Sequence, residues 1–292
     1  MRMRPARRPS FVRVVHARRR AFARPLHRLA LVLTSFFLSA VTVVPWVIPE
    51  SEALPPSSAG SGTAVWHRAG NTSPRYRTWN GASFDAVASS AAVGEFRVMQ
   101  GATALTRAET IVVGVKTSGA ISGEMWTGSA WAALPFNDLA TLSESFWWSV
   151  DVAYEAVSGD AVLVWANGTT GSAPLSYRVW NGISWSAPAT ITAPLSGEAK
   201  QMQLVAAPRS DEMVLVVSNE FSRDYALVWN GSAWGSPATL DSSGNNDDRT
   251  DIAAAYQQQS GMAVVAFGRG AATPFFRSWN GSAWSAEFTI PT

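Results

Sequence analysis

The sequence predicts an all-β chain of repeated four-stranded units, and three observations predict it. An aromatic hexapeptide recurs five times at near-constant spacing. A β-rich run precedes each copy. After residue 54 no segment keeps a 3.6-residue apolar period, and Pro and Gly recur throughout. The 292 residues are enough for one large domain or two small ones. A chain that is 47% hydrophobic and 15% charged can bury a large core, which a disordered chain cannot.

The hexapeptide reads WNGASF from Trp79, WTGSAW from Trp126, WNGISW from Trp180, and WNGSAW from both Trp229 and Trp279. The spacings are 47, 54, 49 and 50 residues. Before each copy lies a strand-like run: TAVWHR from Thr63, TIVVGVK from Thr110, AVLVWAN from Ala161, EMVLVVSN from Glu212 and MAVVAFG from Met262. Earlier again come DVAY at Asp151, QLVAA at Gln203, DIAAAY at Asp251 and, more loosely, FRVMQ at Phe96. A short segment such as SAPATI or GSPATL follows each hexapeptide. Each unit therefore holds four short strands, with an Asn-Gly hairpin between the third and fourth. Asn-Gly favours tight hairpins because both residues tolerate positive φ. Four-stranded meanders repeating every 40 to 50 residues, roughly, are the signature of propeller blades. The expectation is a β-propeller of about five blades over residues 63–292. Four units are complete from about Glu95, and the first lacks its innermost strand. A plain β-sandwich is the alternative, but it needs no such regular repeat.

Residues 1–28 form a basic leader with ten arginines and no acid. Residues 29–48 carry no charge and are long enough for a transmembrane helix or a signal h-region. The arginines place the leader in the cytoplasm and the body outside, anchored N-in, C-out. Ser51-Glu52-Ala53 also offers small residues for cleavage near Ala53 and secretion. Residues 49–62, with LPPSSAGSG from Leu54, read as a linker. Without the leader, 13 Lys and Arg face 21 Asp and Glu, a net charge of −8. So acidic a body argues against nucleic acid as a partner. With no cysteine, disulfides, thiolate metal sites and thiol nucleophiles are excluded.

Nine of the 14 tryptophans lie in the hexapeptides, where Phe84 takes the tenth place. Two rings five residues apart across the turn are cross-strand neighbours. Burying each supplies roughly 4 to 6 kcal/mol at most, ample reason for the pattern without a ligand. The functional alternative is a sugar-stacking platform. Its candidates are Trp79, Trp131, Trp185, Trp234 and Trp284, with Arg77, Arg178 and Arg277 on the same strand face two residues before the first Trp. Asp151 and Asp251 are expected at matching places on innermost strands, lining a central channel. The segment Asp241 to Asp251 (DSSGNNDDRTD) offers oxygen ligands for calcium, although it lacks EF-hand spacing. No other metal or cofactor is indicated. The body holds one histidine, His67, so no Ser-His-Asp site can be built there.

The tandem W-N-G-x-x-W units resemble those of secreted or surface propeller lectins of the tachylectin and fucose-lectin type, and more loosely sialidase-like blades. The sialidase Asp-box pattern is absent. The resemblance spans about Thr63 to Thr292 and implies a non-enzymatic module binding a glycan or surface protein at the cell envelope. Two other readings stay open: a glycosidase-like propeller enzyme and a structural envelope scaffold.

Overall fold

A computed structural model describes residues 11–12, 61–136, 139–143, 148–168, 175–191, 197–242, 251–269 and 273–291. These form strands and turns. The first blade comprises β1 (Phe11–Val12), β2 (Gly62–Trp66), β3 (Arg75–Trp79) and β4 (Ala88–Ser89). The second comprises β5 (Phe96–Thr103), β6 (Thr110–Lys116), β7 (Ile121–Trp126) and β8 (Trp131–Ala133). The third comprises β9 (Val150–Tyr154), β10 (Ala161–Ala166), β11 (Leu175–Trp180) and β12 (Ala189–Ile191). The fourth comprises β13 (Ala199–Ala206), β14 (Glu212–Asn219), β15 (Asp224–Asn230) and β16 (Ala238–Asp241). The fifth comprises β17 (Ile252–Tyr256), β18 (Ala263–Phe267), β19 (Phe275–Trp279) and β20 (Phe288–Thr289). Every sheet is an antiparallel meander in chain order.

The inner strand missing from the 63–292 part of the first blade is supplied, among the described residues, by β1 of the leader, with Phe11 opposite Trp66 and Val12 opposite Val65. That pairing and a membrane crossing between leader and body are mutually exclusive in one molecule. The expected membrane segment, the cleavage site and all of the linker except Ser61 and Gly62 lie outside the described residues. No helix among the described residues is long and apolar enough to cross a membrane.

The hexapeptide hairpin has a different physical basis from the expected one. Only its glycine takes positive φ: Gly81 (99°), Gly128 (92°), Gly182 (86°), Gly231 (91°) and Gly281 (91°). The asparagine acts through its side chain. Asn80 Oδ1 accepts from the amides of Ala82 and Ser83, both at 2.9 Å, and Asn181, Asn230 and Asn280 repeat this. This is Asx-turn chemistry. It brings the two aromatics opposite one another, with centroids 5.1 to 5.8 Å apart in all five blades.

Register decides how the blades pack. Residues paired across an antiparallel sheet share a face. One face of each blade carries the first Trp of the hexapeptide and is here the Trp face; the other is the far face. The far face of the third blade (Val162, Val164, Leu175) packs on the Trp face of the fourth (Met213, Leu215, Leu227) in one continuous core. The far face of the fourth (Val214, Val216, Ala226) packs likewise on the fifth (Ala254, Val265, Phe267). Val65 and Tyr76 of the first meet Met99 and Val112 of the second.

The fifth blade breaks this series. The strands β9 and β10 of the third are buried throughout, whereas β17 and β18 alternate between buried and exposed. Full burial marks a strand covered on both faces, and alternation marks one covered on a single face. The far face of the fifth blade (Ala253, Ala255, Val264, Phe276, Phe288) is therefore uncovered. Phe276 holds the place that Tyr76 and Tyr177 hold in earlier blades. Those tyrosines lie against the next blade's Trp pair, at 5.6 to 6.2 Å. Phe276 stacks instead on Phe288 of its own blade, at 5.4 Å. Among the described residues the five blades form an open array, with no blade on the Trp face of the first or on the far face of the fifth.

Two repeat-equivalent valines test the open end. Val214 is fully buried and Val264 is 37% exposed. Val214→Ala should cost about 2 kcal/mol in urea unfolding, from lost transfer and a cavity. Val264→Ala should stay within about 0.5 kcal/mol. Equal costs would mean that the fifth blade is covered in solution.

Candidate functional site

The sequence-predicted arginines sit on the Trp faces of the first, third and fifth blades, each in the same local station. Arg77 Nε donates to the carbonyl of Asp85 (2.5 Å), Arg178 Nη1 to that of Ser186 (2.5 Å) and Arg277 Nε to that of Ser285 (2.9 Å). These bonds hold each guanidinium across the hairpin and over an aromatic face. Arg77 lies 5.5 Å from the Phe84 centroid and Arg277 lies 6.0 Å from that of Trp284. Arg178 lies 4.5 Å from Phe136, a residue of the second blade, and Phe136 meets Trp185 edge-on at 5.0 Å. The three arginines occupy alternate blades, each bound to its own hairpin, so they do not form a shared anion site. The second and fourth blades have Glu124 and Leu227 at this position, both buried.

The two tryptophans of each hexapeptide differ in role. In the third, fourth and fifth blades the first is cemented across the blade interface by an acid that sequence reasoning missed. Trp180 Nε1 donates to Glu109 Oε2 at 3.0 Å, and Tyr154 Oη reaches the same oxygen at 3.4 Å. Trp279 Nε1 and Tyr256 Oη each donate to Glu212 at 2.9 Å. Trp229 Nε1 donates to Glu155 Oε1 at 2.6 Å. Burial and the facing glutamates push the Tyr154 and Tyr256 hydroxyls above the ordinary range. The legible signal was a Glu just before the second strand in units whose successor carries Tyr. Among the described residues Trp79 has no such partner, because no blade packs on the Trp face of the first. The second tryptophans, Trp131, Trp185, Trp234 and Trp284, are half-buried, and Phe84 is 46% exposed.

Asp151 and Asp251 do not match in register. The residue in the place of Asp151 is Gln203 in the fourth blade and Ala253 in the fifth. Asp151 and Gln203 are inter-blade ties. Asp151 Oδ2 accepts from Leu204 N (2.7 Å) while its Oδ1 accepts from Val152 N (2.8 Å), and Gln203 Oε1 accepts from Ala254 N (2.8 Å). Burial pushes the Asp151 carboxyl up to about 7 despite those bonds. Asp251 precedes β17, where its carbonyl accepts from Gly268 N at 3.0 Å. Burial also raises Asp224 to about 7, with the charges of Asp251 and Asp241 adding to the effect.

Residues 243–250 of the calcium candidate lie outside the described residues. Asp241 is paired with Arg269 Nε at 3.5 Å. Among the described residues no group of three His, Asp or Glu side chains could hold a metal ion. The inner strands β5, β9 and β13 line an open cavity of about 590 Å³, walled by Gln100, Thr103, Trp148, Gln201 and Gln203 among others.

No protein-family model and no curated protein matches the sequence. Solved structures do match. The Burkholderia pseudomallei lectin BP39L aligns at a TM-score of 0.60 and 14% identity, over 81% of this chain and 68% of that one. The Aleuria aurantia lectin bound to α-methyl-L-fucoside aligns at 0.51 and 14%, over 81% and 75%. The chain folds as a β-propeller. The Aleuria protein is described as six-bladed.

Proposed function

We propose that the protein is an extracytoplasmic, lectin-like propeller that binds glycans at its arginine–aromatic stations. The observation that carries this reading is the recurrence of one station on three blades. Each presents a guanidinium fixed by a backbone carbonyl beside a partly exposed ring. Aromatic faces stack on sugar CH groups, a fixed guanidinium offers donors to hydroxyls, and repeated weak sites build avidity. The fold is shared with the Aleuria lectin, whose structure holds a fucoside, so fucosides are the first ligands to try. The leader composition supports display outside the cytoplasm, either anchored through residues 29–48 or released near Ala53, and either outcome separates β1 from β2 and leaves the first blade with three strands.

The test is a glycan array screened with the full-length chain, alongside Trp fluorescence titration. Saturable binding to one sugar class with altered emission is expected. Arg178→Ala and Trp284→Ala should each weaken multivalent binding at least about tenfold. No binding to any glycan would leave the hexapeptides as blade cement and transfer the function to a protein-binding or scaffold role.

A further inference from the structure

The axial cavity is the other concave feature whose chemistry the stations do not use. Its wall combines the inner strands of three blades. Trp148 stands beside it with 46% of its surface exposed, the most accessible tryptophan of the described residues. The residue is held rigidly from both sides of its backbone. Its amide donates to Lys200 O (2.9 Å) and its carbonyl accepts from Met202 N (2.8 Å), bridging the third and fourth blades. The position lies outside the hexapeptide repeat, and the matching residue of the fourth blade is Lys200. Packing within a blade therefore does not account for an indole here.

The polar part of the wall consists of uncharged amides. Gln100 makes no side-chain hydrogen bond among the described residues. Gln203 uses its Oε1 on Ala254 N and retains its NH2 group. Gln201 reaches Ile252 O only at 3.5 Å, and its Oε1 is buried with no partner. A buried amide oxygen left unpaired is costly and normally finds a donor. The one acid in the wall, Asp151, spends both oxygens on backbone amides. The wall thus offers amide donors and acceptors, one flat apolar platform, and no available charge. A volume of about 590 Å³ lies within the usual range for small-molecule sites.

We propose that this cavity is a second saccharide site, selective for a neutral sugar ring stacked on Trp148 and hydrogen-bonded by Gln100, Gln201 and Gln203. A neutral sugar matches amides of either polarity. An acidic sugar would bring a carboxylate to a wall with no cation to receive it. The inference goes beyond the stations and does not depend on them, since it rests on different residues of different strands.

The experiment is calorimetric titration of the Arg77→Ala, Arg178→Ala, Arg277→Ala triple variant of the full-length chain. The probes are methyl glycosides of fucose, galactose, glucose and N-acetylglucosamine, with N-acetylneuraminic acid as the acidic comparator. Saturable binding of a neutral glycoside is expected to survive in this background, with the acidic sugar at least about tenfold weaker. Adding Trp148→Ala or, separately, Gln100→Leu should weaken binding by about tenfold or more, equivalent to about 1.4 kcal/mol. The two residues lie on different blades, so a folding defect in one variant leaves the other informative. Circular dichroism identifies such a defect. Absence of neutral-sugar binding in the triple variant overturns the axial site, as does binding that neither added substitution changes or an equal affinity for the acidic sugar. Loss of the stations alone leaves axial binding intact, so the two readings fail separately.

Discussion

Glu124→Gln is expected to stabilise the protein by about 3 kcal/mol at pH 8 and by almost nothing at pH 4. Glu124 lies on the Trp face of the second blade and is fully buried beneath the first. Oε2 accepts from Ala91 N at 2.9 Å, Oε1 has no partner, and the nearby Ser90 hydroxyl donates to Pro74 O at 3.1 Å. Burial outweighs the bond from Ala91 and pushes the carboxyl up to about 7 from an ordinary 4.5. Below pH 4.5 the folded and unfolded chains both hold the proton, so the group's full contribution to stability is present. Between 4.5 and 7 the unfolded chain releases a proton that the folded chain keeps. Raising the pH therefore favours unfolding, at about 1.4 kcal/mol per pH unit. Above 7 the loss is complete. A glutamine keeps an acceptor for Ala91 and never ionises, so it removes this slope. Urea midpoints of both proteins from pH 4 to 8 measure the effect, with the wild type falling more steeply. Parallel curves would show that Glu124 is solvated or paired in solution. Asp151 and Asp224 are raised in the same direction, so wild-type stability should still decline over this range in the variant.

Glu124 also shows where the sequence was legible and where it was not. The repeat placed an Arg, Glu or Leu two residues before the first Trp, and the structure keeps all five side chains at that one register position. Strand count, hairpin positions and the pairing of the two aromatics could be read because they are local. They follow from apolar runs and from a turn whose chemistry lies within six residues. What the sequence concealed is relational. Nothing in the strings around Glu109 or Glu212 states that their partners are tryptophans on the next blade, 67 to 71 residues away. The mismatch of Asp251 with Asp151 arose because aligning the leading aspartates ignored the tyrosines that end both strands. Register follows Tyr154 and Tyr256, which stand opposite Ala161 and Ala263. Trp148 went unmarked because it belongs to no repeat. The bare far face of the fifth blade could have been suspected from the alanines of β17, which stand where β9 has Asp151 and Ala153. Small residues suit a covered face as well as a bare one, so composition alone could not decide.

Glu212→Ala is expected to cost about 3 to 5 kcal/mol and to loosen the last blade before the rest. Glu212 receives two hydrogen bonds from the fifth blade, one from Tyr256 Oη and one from Trp279 Nε1, each at 2.9 Å. A hydrogen bond to a charged group contributes about 1.5 to 3 kcal/mol, and deleting the acceptor leaves both donors unsatisfied. The fifth blade has one covered face, so it meets the array across a single interface. In a chain of nearest-neighbour units, an end unit with a weakened interface opens first. Urea unfolding should therefore lose cooperativity, with hydrogen exchange accelerating in β17 to β19 while β10 and β14 stay protected. Tyr256→Phe removes one of the two donors and should cost less. In the double variant the two costs should not add, because both remove the same bond. Met262→Ala provides the control. Met262 occupies the position of Glu212 in the fifth blade but faces the open end, so its truncation should cost under about 1 kcal/mol. If Glu212→Ala matched that control, the clamp would contribute no net stability and the apolar core between blades four and five would hold the end unit alone.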